Sequence, residues 1–141
     1  MRGNVLWQMS GPVTGIVRGP RFKVLPKRNC EISFSIEAED GSEKWQFLQF
    51  EEVGAHKCTY LPALKAIPTS LCTEAYGKIV KLDNSSWLSE VSASYDKYYK
   101  SMPKKPKALM HLVIFFDDGP FYEIICGNFQ FADQSSGKAH E

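Results

Sequence analysis

Residues 108–131, ALMHLVIFFDDGPFYEIICGNFQF, decide the fold of this chain. Two apolar runs are joined there through Asp117, Asp118, Gly119 and Pro120. An Asp-Gly pair between aliphatic and aromatic runs is typical of a β-hairpin, because the tight turn needs positive φ angles that Gly adopts freely and Asp tolerates. The segment therefore predicts two antiparallel strands joined by a short turn.

Both faces of this predicted hairpin carry apolar side chains. Successive side chains on a strand alternate between its faces, so His111 and Val113 fall on one face and Leu112 and Ile114 on the other. Glu123 is the only charged residue in the returning strand. A strand that is apolar on both faces is usually covered on both sides, so we expect this hairpin at the centre of a sheet.

The remaining periodic segments add further strands and helices. Residues 30–37 and 44–50, joined by an Asp-Gly-Ser turn, predict a second hairpin, and residues 53–60 predict another strand. Residues 71–82 have apolar spacing close to that of a helix, although Gly77 and the β-branched Ile79 leave a strand possible. The clearest helix follows it, with a cap at Asn84, Ser85 or Ser86 and apolar residues at Leu88, Val91, Tyr95, Tyr98 and Met102.

These elements predict an α+β fold, an antiparallel β-sheet of hairpins packed by one or two α-helices. With 141 residues the chain is long enough for one domain that buries roughly two-thirds of its unfolded surface. We expect a single domain over residues 1–131. Residues 132–141, ADQSSGKAHE, contain no large apolar side chain and predict a disordered tail.

The composition also bears on location and cofactors. No apolar run approaches the roughly 20 residues that cross a bilayer, and the amino terminus lacks the apolar segment of a secretory signal, so we expect a cytoplasmic protein away from membranes. In that compartment the four scattered cysteines are expected as free thiols. No phosphate-binding loop is present, and we expect no cofactor.

Charges are segregated along the chain although the net charge is only +1. Residues 1–28 hold six basic and no acidic side chains, whereas residues 29–56 hold seven acidic side chains against Lys44. The acidic segment could steer a basic protein partner, and the near-neutral total argues against nucleic acid. The residues that we predict to bind a protein partner are Glu51, Glu52, Asp117, Asp118 and Glu123.

The last three of these carboxylates also permit a chemical interpretation. Side chains of Asp117, Asp118 and Glu123 at one sheet end could hold Mg²⁺ or raise one another's pKa values. The alternative is that Asp118 serves the turn while the other two are solvated or salt-bridged, and the frequency of Asp in turns favours it.

Two pairs of His and Cys residues are candidates for a metal site or a nucleophilic site. His56 and Cys58 would face the same side of a strand, but the chain has none of the close ligand pairs that zinc sites usually contain. His111 and Cys126 on adjacent strands are the pair with a plausible geometry for nucleophilic catalysis. Burial of Cys126 between isoleucines would raise its pKa, which suits packing better than attack. The sequence leaves open whether these four residues form a site.

Three segments of the second half carry a resemblance. Residues 76–80 (YGKIV), 84–88 (NSSWL) and 111–126 (HLVIFFDDGPFYEIIC) resemble small bacterial single-domain proteins of unassigned function. The resemblance implies no catalytic or binding residues. Proteins of that class include immunity proteins that neutralise a toxin, which is an analogy of class alone.

Two hypotheses of function follow. The first is a non-enzymatic cytoplasmic binding module for a protein partner, with an immunity-type protein as one form of it. The second is a small-ligand-binding protein or enzyme whose pocket lies between the sheet and the helix that carries Trp87, Tyr95 and Tyr98.

Overall fold

The computed structural model describes residues 3–103, 107–117 and 120–135, and it has an α+β fold of antiparallel sheets, as predicted. The strands are β1 (Gly3–Gln8), β2 (Ile16–Leu25), β3 (Asn29–Glu37), β4 (Glu43–Glu51), β5 (Ala55–Thr59), β6 (Lys78–Leu82), β7 (Met110–Phe115), β8 (Phe121–Cys126) and β9 (Asn128–Ser135). The α-helices are α1 (Thr69–Glu74) and α2 (Ser86–Tyr99). Within these ranges no helix has the length and apolar character needed to cross a membrane.

The strands form two sheets where the sequence predicted one. The first sheet has the order β1-β6-β7-β8-β5 and the second has the order β2-β3-β4-β9. The predicted hairpin of residues 108–131 is confirmed as β7 and β8, with Phe115 opposite Phe121 and Met110 opposite Cys126. Strand β7 is the central strand of the first sheet, so the hairpin has the position that its two apolar faces indicated.

One face of the hairpin packs against the second sheet. Leu112 and Ile114 of β7 are fully buried there together with Ile32 and Phe34 of β3 and Leu48 of β4. Aromatic rings connect the layers across this core, because Phe34 lies 5.8 Å from Phe116, centroid to centroid. The two sheets therefore form a sandwich with a continuous apolar interior.

The edge strands of the two sheets meet in pairs along two seams. At one seam the ring of Trp7 in β1 lies 5.1 Å from that of Phe131 in β9. At the other seam the ring of Phe22 in β2 lies 4.8 Å from that of His56 in β5. The sandwich is thus bounded by two long seams that are lined with aromatic side chains.

The opposite face of the hairpin is covered by helices. Leu71 in α1 and Ala75 just after its end are buried against the first sheet. Their neighbours there are Val80, Val113 and Phe121. A 3₁₀ helix (Leu61–Ala66) contributes Leu64 to the same cluster. The molecule is therefore built in three layers, with the first sheet in the middle.

The structure corrects the prediction of a helix over residues 71–82. Its helix, α1, ends at Glu74, and β6 follows over Lys78–Leu82. Gly77 lies between them with a φ angle of +68°, and a Cβ atom on it would lie 2.7 Å from Val13. Val80 pairs with Val113 of β7, where β-branched side chains pack well. The helical interpretation is wrong for residues 78–82.

The chain's last described strand extends beyond the predicted domain boundary. Strand β9 pairs with β4 from Asn128 to Ser135, so residues 132–135 belong to the second sheet. Residues 136–141 of the predicted tail lie outside the described residues.

The sandwich core yields a stability prediction. Phe34→Ala should lower the free energy of unfolding by about 3–5 kcal/mol, because it removes a fully buried ring and leaves a cavity between the sheets. Val24→Ala, at a side chain of β2 that is 68% exposed, is the control and should change it by less than about 0.5 kcal/mol. Urea unfolding measures both variants, and equal losses would contradict this account of the core.

Candidate functional site

The structure separates the residues that were predicted to bind a partner. Glu51 and Glu52 lie at the carboxyl end of β8, where their backbone carbonyls accept the N–H of Gly127. Asp117 lies before the amino end of the same strand. Six strand residues span about 20 Å, so these carboxylates do not share one surface. Asp117 accepts a hydrogen bond from the hydroxyl of Tyr76 at 3.0 Å, and Asp118 lies outside the described residues.

Glu123 is buried in the middle of β8 on the helical side of the first sheet. One carboxylate oxygen lies 2.9 Å from Nε2 of His111, and the other lies 3.8 Å from Nζ of Lys57. The register puts Glu123 opposite Val113, well inside the sheet and away from the turn that holds Asp117. In the described ranges no three His, Cys, Asp or Glu side chains are grouped as metal ligands.

The sheet also separates His111 from Cys126. His111 pairs with Ile125 and Met110 pairs with Cys126, so the imidazole and the thiol lie on opposite faces. The structure therefore does not bring together the pair that was considered for nucleophilic catalysis, which agrees with the packing role preferred for Cys126. His56 and Cys58 do share a face, at the edge strand β5.

Cys126 and Cys30 are core residues of the sandwich. Both are buried, and burial raises the pKa of each thiol to about 12. A thiol in such a setting remains protonated at neutral pH and is a weak nucleophile. The expected packing role of Cys126 follows from this environment.

Sequence reasoning missed a buried polar network that joins α2 to the first sheet. Ser85 Oγ lies 2.6 Å from Nδ1 of His111, whose Nε2 faces Glu123. Because a carboxylate can only accept, we assign the imidazole proton to Nε2, so that Nδ1 accepts from the Ser85 hydroxyl. Ser85 Oγ in turn accepts the backbone N–H of Leu88 at 3.0 Å, which caps α2. Every polar atom of this serine and histidine thus has a partner.

The network contains the residue types of a hydrolytic triad but not its geometry. In serine proteases Nε2 of the histidine faces the serine and Nδ1 faces the carboxylate, whereas here the two nitrogens are exchanged. Ser85 is 3% exposed and its oxygen is occupied by the helix cap. A substrate carbonyl has no approach to this hydroxyl, so the arrangement anchors α2 and does not suit acyl transfer.

Two further side chains cover the network. The ring of Trp87 stands edge-on to His111 at 5.2 Å, and Nζ of Lys57 lies 4.2 Å from the centroid of the Trp87 indole. The ammonium group therefore contacts both an aromatic face and the carboxylate of Glu123, which offsets the cost of burying that charge. The beginning of α2 is fixed to the sheet by these contacts.

The other end of α2 presents a group of aromatic residues around an arginine. Arg28 donates hydrogen bonds to the hydroxyls of Tyr95 at 2.9 Å and Tyr99 at 3.3 Å. Burial raises the pKa of the Tyr95 hydroxyl, so the group stays neutral and accepts from the guanidinium. Tyr98 packs edge-on against Tyr99 at 4.9 Å and is 68% exposed. We call Arg28, Tyr95, Tyr98 and Tyr99 the tyrosine–arginine surface.

Two clefts flank this surface. A cleft of about 490 Å³ lies between Gly54 and the α2 residues Glu90, Val91 and Ser94. A second cleft of about 220 Å³ lies between α2 and Leu109, with Asp96 and Lys107 at its walls. Tyr95 and Tyr99 line both, so the aromatic residues separate two adjoining concave regions. Trp87, which was predicted in such a pocket, covers His111 instead.

In comparisons with known proteins, no family model, curated protein or solved structure matches this chain. The resemblance to small bacterial single-domain proteins stays a prediction.

The anchoring network predicts the effect of removing its hydroxyl. Ser85→Ala should lower the free energy of unfolding by about 2–3 kcal/mol, because it removes a helix cap and leaves Nδ1 of His111 buried without a donor. Ser86→Ala, at the exposed neighbouring position, should cost less than about 0.5 kcal/mol. Urea unfolding of the two variants measures the difference. Similar stability of both variants would remove the anchoring role.

The buried thiols predict a dependence of stability on alkaline pH. Above about pH 9 the cysteine of the unfolded chain loses its proton while folded Cys126 keeps it up to about 12. The unfolded state then binds fewer protons, so stability falls as pH rises through this window, by up to about 1.4 kcal/mol per pH unit for one cysteine. The free energy of unfolding of Cys126→Ala, measured with urea, should fall less steeply between pH 8 and pH 10.5 than that of the wild type. Parallel curves for wild type and variant would refute this contribution.

Proposed function

We propose that this protein is a non-enzymatic binding module that recognises a protein partner through the tyrosine–arginine surface. The observation that carries the proposal is the pair of hydrogen bonds by which Tyr95 and Tyr99 hold the Arg28 guanidinium beside the exposed ring of Tyr98. Tyrosine and arginine are enriched among the residues that dominate binding energy at protein interfaces. The surface thus has the composition of an interface hot spot, the small group of residues that contributes most of the binding energy.

The geometry also supports recognition through preorganisation. An arginine side chain that is free in solution loses conformational entropy when a partner immobilises it. Arg28 is already held by two hydroxyls, and its guanidinium lies 5.8 Å from the centroid of the Tyr95 ring. Binding through this group therefore costs less entropy than binding through an unrestrained arginine.

Charges of both signs surround the tyrosines. Glu90 and Asp96 of α2 line the two clefts, and Arg28 and Lys107 lie on their other walls. A complementary partner would carry an acidic group for the arginine and basic groups for the flanking carboxylates. This replaces the hypothesis of one acidic patch, because Glu51, Glu52 and Asp117 lie at different ends of β8.

Capture of the partner tests this proposal. Immobilised wild-type protein should retain a specific protein from lysate of the source cells, and Arg28→Ala or Tyr98→Ala should reduce the retained amount at least about tenfold, as expected for central interface residues. Tyr60→Ala is the matched control, because Tyr60 is 63% exposed beyond the far end of β5. It should capture the partner as well as wild type does.

Capture that is unchanged in both surface variants, or lost equally in the control, would overturn the proposal. Circular dichroism of each variant establishes that the fold is retained. The immunity-type form of the proposal is tested separately, by co-expression with the product of the adjacent gene. Growth that depends on wild-type protein and fails with Arg28→Ala would support it, and growth independent of the protein would exclude it.

A second candidate is a small-ligand function for the clefts beside Tyr95, which lie between α2 and residues that precede strands, Gly54 before β5 and Leu109 before β7. A ligand that binds only the folded state raises the melting temperature. A small-molecule screen by thermal shift, compared between wild type and Tyr95→Ala, separates this candidate from protein recognition.

A further inference from the structure

A cleft opens at the seam between the edge strands β2 and β5, away from the tyrosine–arginine surface. Its volume is about 530 Å³, which is within the range of small-molecule sites. Its lining consists of Pro20 and Phe22 from β2, His56 and Cys58 from β5, Tyr60, and Tyr122 from β8. The cleft exists because β5 is the edge of one sheet and β2 is the edge of the other.

Aromatic rings form most of its walls. Phe22 lies between two rings, 4.8 Å from His56 and 5.6 Å from Tyr122, and its plane is within 18° of that of Tyr122. Tyr122 is 5% exposed and belongs to the sandwich core, so it forms a rigid floor. Tyr60 is exposed and forms the rim. Flat walls of this kind favour a flat ligand, because stacked or edge-on rings are the preferred geometries of aromatic contacts.

The polar groups of the cleft are few and carry no negative charge. Cys58 and Tyr60 share a side-chain hydrogen bond, and burial raises the pKa of the Cys58 thiol, so both groups are neutral at pH 7. His56 is a basic residue of the lining, and no described lining residue is a carboxylate. Lys57 also borders the cleft, but its ammonium contacts Trp87 and Glu123 on the opposite face of the sheet.

We propose that this cleft binds a molecule with a flat aromatic ring system, of up to three rings in all, that is neutral or carries one negative charge. Its ring stacks on the aromatic walls, and its polar group hydrogen-bonds the imidazole of His56 or the hydroxyl of Tyr60. His56 and Cys58, which share a face of β5, act in this proposal as cleft lining and not as metal ligands. The site is independent of the proposed protein-binding surface, because Gly54 contacts the Tyr95 cleft at the opposite end of β5 from Tyr60.

The test uses 1-anilinonaphthalene-8-sulfonate, an anionic aromatic fluorophore, as the probe with the full chain. Cys58 is exposed in the cleft, whereas Cys72 is half-buried on α1 beside a separate cleft that Tyr76 and Phe115 line, and it reports binding elsewhere on the chain. The probe should slow alkylation of Cys58 by iodoacetamide at least about fivefold, as expected at five times its Kd or more, and slow alkylation of Cys72 less. Mass spectrometry of the two peptides measures both rates in one sample.

Substitutions locate the binding. Cys58→Phe fills the cleft from an exposed edge position and should abolish most of the probe's fluorescence gain. Val5→Phe adds the same ring to the exposed edge strand β1 at the opposite seam and should leave it intact. The cationic dye proflavine, of similar ring size, should bind at least about tenfold more weakly, because no described lining residue is a carboxylate that would pair with a cation.

Equal slowing of alkylation at Cys58 and Cys72, or full fluorescence gain in folded Cys58→Phe, would overturn the site. Proflavine binding as tight as that of the anionic probe would overturn the assigned charge class. If Cys58→Phe fails to fold, the comparison of the two cysteines in the wild-type chain decides the question alone.

Discussion

The constraint on which this structure depends is the burial of the β7–β8 hairpin on both faces. Leu112 and Ile114 face the second sheet, while Val113 and Phe121 face α1. Fully burying one such side chain stabilises the fold by about 1.5–3 kcal/mol. Removal of either covering layer would expose several of these side chains at once, and their contributions would be lost together. The three layers therefore stabilise one another.

The same hairpin explains why a carboxylate is buried in the molecule. His111 and Glu123 share the face that the helical layer covers, and a buried charge is costly unless it is hydrogen-bonded. The imidazole links this carboxylate to Ser85, which is also the cap of α2. The polar network thus fixes the start of α2, and the course of that helix brings Tyr95 and Tyr99 to Arg28. A buried interaction determines where an exposed aromatic surface lies.

Both proposed binding regions lie where the layers end. The tyrosine–arginine surface is at the carboxyl end of α2, where the helix runs past the strands, and the ring-lined cleft is at the seam where β5 and β2 meet. The interiors of the layers are densely packed, whereas these margins leave concave space. The core residue Tyr122 supports the ring-lined cleft from behind, and the close approach of Val91 and Tyr95 to Gly54 supports the other region.

The sequence alone determined the elements whose signals are local. An Asp-Gly turn between alternating apolar runs specified β7 and β8, and apolar residues at steps of three and four behind a serine cap specified α2. Residues 71–82 were ambiguous because the local pattern does not show where the helix ends. Gly77 has a positive φ angle and packs closely against Val13, which belongs to a segment distant in the sequence.

Only the tertiary structure decided the sites. Ser85 and His111 are 26 residues apart, and Arg28 and Tyr99 are 71 apart, so no spacing in the sequence connects them. The second sheet, the separation of Asp117 from Glu51 and Glu52, and the seam between Phe22 and His56 likewise depend on how strands pair across the chain. Local periodicity specifies which face of an element is apolar, but which elements share a layer is settled by the packing of all of them together.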